Sequence, residues 1–236
     1  MQALLSRAAL VGSLLTAATA HAAAIDTRAF TLDGAPSYPF ADITLISDTV
    51  VGASFALDGL AQGLHSNVDS TGEAWATADT PWQNFYNISV KAGYRITGMT
   101  VTGTFDGALA GDADNEIALA FLAWPPGSEP TWSPFARVTG LDGTHGWSIG
   151  TGAMSLDSAV LLGFLGSAST YAASAWQPDT GTWLGSSAHI GARDVVLTVD
   201  IAPVPAPQSW LMLLAGIVVV GAWQAQLSGR RNAPQR

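Results

Sequence analysis

The chain of 236 residues contains no cysteine and a single lysine, Lys91. Without cysteine there is no disulfide framework, no thiolate zinc site and no cysteine nucleophile. Charge is scarce as well: 11% of residues are charged, with 9 Lys plus Arg against 18 Asp plus Glu. An acidic, lysine-poor chain lacks the repeated phosphate contacts on which nucleic-acid affinity mostly rests, so no nucleic-acid partner is expected. Glutamate is confined to Glu73, Glu116 and Glu129, whereas Gly, Ser, Thr and Asp abound, which disfavours an all-helical fold. What the chain does have is apolar content, with 48% hydrophobic residues and a mean hydropathy of +0.28. Such a chain buries enough surface to offset its ordering entropy, so disorder is excluded too.

Much of that apolar content lies at the two ends. Residues 1–24 have the layout of a secretory signal peptide: one charge at Arg7, an apolar run from Ala8 to Ala18 too short to span a bilayer, then small residues from Thr19 to Ala24. A cleavage site of the A-x-A kind reads as Ala20-His21-Ala22 or Ala22-Ala23-Ala24, so the mature protein is expected to begin at Ala23 or Ile25. At the other end, residues 203–209 form a proline-rich spacer that favours an extended polyproline II conformation, and the run from Trp210 to Trp223 then carries no charge. Continued to Leu227, that run reaches about 27 Å as a helix, against a hydrocarbon core of about 30 Å. The expectation is a marginal transmembrane helix over 210–227 and a basic tail over 228–236. By the positive-inside rule, Arg230, Arg231 and Arg236 keep the tail cytoplasmic while the body is exported.

Val204-Pro205-Ala206-Pro207, followed by Ser209-Trp210, a hydrophobic helix and Arg230-Arg231, resembles the PEP-CTERM sorting signal, with Ala206 where that family carries Glu. The resemblance covers about the last 33 residues. It implies export across the inner membrane of a Gram-negative bacterium and a partner, exosortase, that recognises the Pro-x-Pro element and removes the helix and basic tail. Membrane attachment through the helix is then transient, and the mature protein belongs to the cell envelope or extracellular matrix of an exopolysaccharide-producing, biofilm-forming bacterium. A plain, unprocessed single-span anchor is the alternative.

Residues 25–202 read as one domain. They hold all 18 acidic residues but only Arg28, Lys91, Arg95, Arg137 and Arg193 as cations. Val195, Leu197, Val199 and Ile201 alternate with Val196, Thr198 and Asp200, the period-two pattern of a half-buried strand, and Val51, Ala53, Phe55 and Leu57 repeat it. Between Gly93 and Phe105 the apolar parity switches, which predicts a bulge near Gly98. Ala118 to Trp124 and Ala159 to Leu165 are apolar on both faces, as central strands covered on each side would be, and Phe85 to Val90 is a further strand. Asp33-Gly34, Asp58-Gly59, Asp106-Gly107 and Asp142-Gly143 read as turns between them. The fold class expected is all-β, a single antiparallel β-sandwich of jelly-roll or immunoglobulin-like kind.

Gly146-Trp147-Ser148-Ile149-Gly150 matches the G-x-S-x-G nucleophile elbow, and Ser148, Asp179 and His189 stand in a usable order. The polar stretch Leu141 to His145 before it is no buried strand, so a hairpin end is expected there and no catalytic residue is assigned. Asp106, Asp112, Asp114, Asn115 and Glu116 offer hard oxygen ligands at a density that suits Ca²⁺, although the spacing departs from the EF-hand; a solvated acidic loop is the competing reading. His65, His145 and His189 are too scattered to define a metal site. Trp124 and Trp132, each beside prolines, would form a rigid platform for apolar sugar faces. The expected function is a non-enzymatic exported envelope or matrix protein associated with exopolysaccharide. A carbohydrate-binding module, with or without calcium, is the second reading, and an anchored hydrolase the third.

Overall fold

A computed structural model describes residues 24–35, 43–72, 74–125, 127, 129, 131–132, 135–204 and 217–218, with backbone alone at 131–132. The expected signal peptide, proline spacer, transmembrane helix and basic tail, including Pro205, Ala206, Pro207, Trp210, Arg230 and Arg231, therefore lie outside the described residues, apart from Ala24, Pro203 and Val204 at their margins and 217–218 within the expected helix. Among the described residues no helix is long and apolar enough to cross a membrane.

Two antiparallel sheets pack face to face, as expected of a β-sandwich. One has seven strands: β1 (Ile25–Asp26), β2 (Phe30–Gly34), β6 (Trp75–Val90), β12 (Val160–Ala173), β8 (Asp112–Trp124) and β10 (Ala136–Thr139) in that spatial order, with β9 (Thr131–Trp132) added to β8. The other has six: β11 (Gly143–Gly150), β7 (Tyr94–Ala110), β15 (Ser186–Pro203), β4 (Gly52–Ala56) and β3 (Thr44–Asp48), with β5 (His65–Ser70) on the first half of β15. A separate hairpin of β13 (Ala175–Gln177) and β14 (Thr182–Leu184) joins β12 to β15.

Alternation in the sequence becomes alternation in burial. Val195, Leu197, Val199 and Ile201 face the core of β15, and Ala53 and Phe55 do so on β4, while Val51 falls outside the strand and is exposed. The inner faces meet in an aromatic seam. Phe121 stacks on Phe164 (ring centroids 5.2 Å apart), Tyr86 meets Phe164 edge-on, and Trp147 stacks on Phe105 above Gly103, where a Cβ would lie 2.5 Å from the indole. The bulge expected near Gly98 is present: Asp200 pairs Gly98 and Ile201 pairs Ile96, so Thr97 is the extra residue and both apolar parities of β7 reach the core. A second irregularity falls between Arg193 and Val196 at Asp194 (φ 54°), the one described non-glycine residue with positive φ. There Leu57 and Leu64, which flank the short helix α1 (Asp58–Gly63), bond the β15 backbone through Val195 and Ala192.

Three of the four expected turns are not turns. Asp33-Gly34 ends β2, Asp58-Gly59 opens α1, and Asp106-Gly107 lies inside β7; only Asp142-Gly143 leads into a strand from a turn, with Gly143 at φ 118°. The glycine of Asp106-Gly107 serves close approach instead. A Cβ on Gly107 would lie 2.4 Å from the Leu141 carbonyl oxygen and 3.0 Å from the Asn115 amide.

Candidate functional site

The outward face of the seven-stranded sheet is where chemistry-bearing side chains gather. Register sets the rows. Tyr171 of β12 pairs Thr77 of β6 on one side and Asp114 of β8 on the other; the next outward row is Asp79, Ser169 and Glu116, and the next Pro81, Ser167 and Ala118. Because side chains alternate, these residues share one face while Ala168, Thr170 and Ala172 turn to the core. They line two depressions that follow one another along β12. A polar one of about 250 Å³ is lined by Thr77, Asp79, Asp114, Glu116, Ser169 and Tyr171, and an apolar one of about 270 Å³ by Ala118, Ala120, Leu165, Ser167 and exposed Phe135. At roughly 3.3 Å per residue and 4.8 Å between strands, the trough from Tyr171 to Leu165 measures about 20 by 10 Å.

The apolar depression corrects an expectation. Ala118–Trp124 and Ala159–Leu165 lie in central strands of their sheet, and outward Leu122 and Gly163 are buried as expected, but outward Ala118, Ala120 and Leu165 are only half-buried and form an open floor.

The acidic cluster is redistributed by the pleat. Asp112, Asp114, Asn115 and Glu116 lie in β8 rather than in a loop, so Asp114 and Glu116 point outward while Asn115 points between the sheets. Buried Asn115 is committed: its Nδ2 donates to the carbonyls of Leu141 (2.9 Å) and His189 (2.8 Å), and its Oδ1 accepts from the Leu141 amide (2.7 Å). Asp106 belongs to the other sheet, where it pairs with His189 (3.4 Å) and Arg193 (3.6 Å). Glu116 accepts two charge-assisted bonds from Arg137 of β10, each 2.9 Å, and this bonding and charge hold the Arg137 guanidinium more firmly protonated than usual. Among the described residues no three His, Asp or Glu side chains converge as a metal-holding group. Asp79 and Asp114 are thus left as outward acceptors on either side of β12.

Gly146–Gly150 runs along β11, an edge strand paired with β7, and Ser148 is exposed on it. It is neither a hairpin end nor the strand-to-helix turn that a nucleophile elbow requires. His145 lies further along the same strand, and Asp179 sits in the turn of the β13–β14 hairpin.

The tryptophans divide by environment. Trp82 packs against Gly63 of α1, and Trp147 is in the core. Trp124 stands on the outward row of β8 beyond the apolar depression, 44% exposed, while Trp132 pairs through its backbone with Leu122. The side chain of Trp132 is outside the described residues, so the platform expected with Trp124 is described at Trp124 alone. Reasoning from sequence missed Trp75, which is 68% exposed on the outward row of β6, and Tyr171. It also missed the pair Trp176 and Trp183, cross-strand partners in the β13–β14 hairpin with ring centroids 5.3 Å apart. A signal for that pair was available, since the two indoles flank Gln177-Pro178-Asp179-Thr180-Gly181, a turn sequence that brings its flanks together.

Carboxylates and hydroxyls accept hydrogen bonds from a polyol, exposed aromatic rings cover its apolar C–H faces, and unpaired carboxylates repel anions. An open, acidic, aromatic-flanked trough therefore suits an extended neutral ligand rather than a phosphate or an anionic polymer. No protein-family model matches the chain, and no curated protein matches it. Among solved structures, a family 61 carbohydrate-binding module in complex with β-1,4-galactotriose is similar over 58% of this chain and 90% of its own, at 12% identity and a TM-score of 0.23. A structure described by the structure and function of a family 4 carbohydrate-binding module is similar over 72% and 86%, at 11% identity and a TM-score of 0.21. Both likenesses are remote, and nothing about this chain's ligand follows from them.

Proposed function

We propose that the chain is an exported β-sandwich of the cell envelope or extracellular matrix that acts by holding neutral polysaccharide along the outward face of β6, β12 and β8, without turnover. The observation that carries this reading is the trough itself: two successive depressions on three neighbouring strands, flanked by Tyr171 and Trp75 at one end and Trp124 at the other, with Asp79 and Asp114 as acceptors. Its open form fits a chain lying along the strands, since an extended polymer needs no enclosing cavity.

Retardation in native gels cast with neutral polysaccharides (β-glucan, galactan, galactomannan) tests it: the full-length protein is expected to migrate more slowly, and Tyr171→Ala to recover most of its free mobility. Unchanged migration in every such gel rejects the reading. Delivery by the sorting signal is part of the proposal and rests on the terminal motifs alone. Intact mass of native protein is expected to show a start at Ala23 or Ile25 and the loss of Arg236; a mature species retaining Arg236 leaves only the plain anchor.

A further inference from the structure

The two ends of the sandwich differ in kind. Lys91 bonds the Thr27 carbonyl and pairs with Asp26 (2.7 Å), and the backbone of the same turn accepts Val204, whose amide donates to the Gly93 carbonyl (2.8 Å). The strands that open and close the sandwich therefore meet on one turn, at one end. From there β15 runs 18 residues, through its two irregularities, to the opposite end. At that far end the chain makes the excursion from Ser174 to Gly185 that contains the β13–β14 hairpin. Ser186 clamps its base, donating its hydroxyl to the Ala173 carbonyl and accepting from the Asp112 amide (3.1 Å).

The hairpin carries its apolar side chains in the open: Trp176 is 50% exposed and Leu184 equally so, with Trp183 at 37%. A lone two-stranded hairpin has no core of its own to bury them in, so these rings are held up by the turn and by each other. Beside the base of the hairpin lie Trp75, whose strand position pairs Ala173, and then Tyr171 on the trough. The polar groups around the indoles are uncharged or acidic: Gln177, Thr180 and Thr182, with Asp179 in the turn, and Asp69 and Asp112 at the same end. Among the described cations, Arg28, Lys91 and Arg95 belong to the opposite end, while Arg137 and Arg193 lie part-way along the strands beside Glu116 and Asp106. An anionic membrane surface or an acidic polymer has no counter-charge here, whereas a neutral, hydroxyl-rich chain finds ring faces and hydrogen-bond acceptors.

We propose that the Trp176–Trp183 hairpin is a second glycan contact, continuing the trough past Tyr171 and Trp75 at the end of the domain farthest from where the chain enters and leaves. This rests on the trough reading and gives it a direction: the polymer is gripped at the end facing away from any anchor.

The test uses the full-length protein with β-glucan, galactan and galactomannan as neutral probes, alginate as an anionic probe and phosphatidylcholine vesicles as a membrane probe. The double variant Trp176→Ala/Trp183→Ala is expected to weaken binding of the preferred neutral polysaccharide about tenfold or more, with Trp183→Tyr retaining most of the affinity. Indole fluorescence is expected to change on binding in the wild type and to lose that part of the change in the double variant. Because both rings stand outside the core, the melting temperature is expected to stay the same. Wild-type affinity in the double variant overturns the hairpin contact while leaving the trough reading intact. Binding of vesicles that the double variant abolishes, with polysaccharide binding unaffected, overturns it in favour of a membrane contact. A wild type that binds none of the neutral probes overturns both.

Discussion

Asn115 shows how one residue can have its role reversed by a pleat. Read along the chain it belongs with Asp112, Asp114 and Glu116 as an oxygen ligand; in the fold it is a strut between sheets, with one oxygen and both amide hydrogens in use. Replacing it with aspartate removes both donors, leaves the Leu141 and His189 carbonyls unpaired and adds a buried charge. The expected cost is about 3 kcal/mol or more, read from chemical denaturation, against little change for the outward Asp114→Asn. Neighbouring Asp112, Asp114 and Glu116 could be recognised as a group, but which of them faces solvent depends on strand parity, and a run that is acidic on both parities gives no hint of it.

At the scale of elements, the periodic strands were the most legible. The core row of β15, the inward pair on β4 and the bulge in β7 all follow from alternation of apolar residues, because an inward row must be apolar to be buried. Turn signals were the least legible. Asp-Gly marks a place where a side chain is missing, and the chain uses that absence either to reverse direction, as at Gly143, or to let another backbone approach, as at Gly107. The second use depends on Leu141, more than thirty residues away, and no local reading contains it. Gly107→Ala, which an ordinary strand position would tolerate, is accordingly expected to destabilise the protein by about 1–3 kcal/mol, since the obstructing atom is a backbone oxygen that cannot rotate away. A melting curve identical to wild type would place the 140–143 segment further from β7.

For the molecule as a whole, the distribution of charge and aromatic rings matters more than any single motif. The five cations of the body lie at one end or in pairs along the strands, and among the described residues the exposed tryptophans Trp75, Trp124, Trp176 and Trp183 belong to one sheet and the hairpin that leaves it. The sequence could show that tryptophans are numerous and lysines nearly absent, but not that Trp82 and Trp147 would be packed while Trp75, Trp124, Trp176 and Trp183 faced outward. That sorting depends on which parity of each strand meets the second sheet. The central claim is that the outward trough of β6, β12 and β8 is a binding surface for neutral polysaccharide. Ser169 lies on its floor, between Asp79 and Glu116, with its side chain turned away from the core. Filling the trough with Ser169→Trp and titrating the full-length protein with the neutral polysaccharide that retards it most tests the claim directly. The account predicts an association constant at least about tenfold weaker at unchanged melting temperature; a variant that folds normally and binds as tightly as wild type would contradict it.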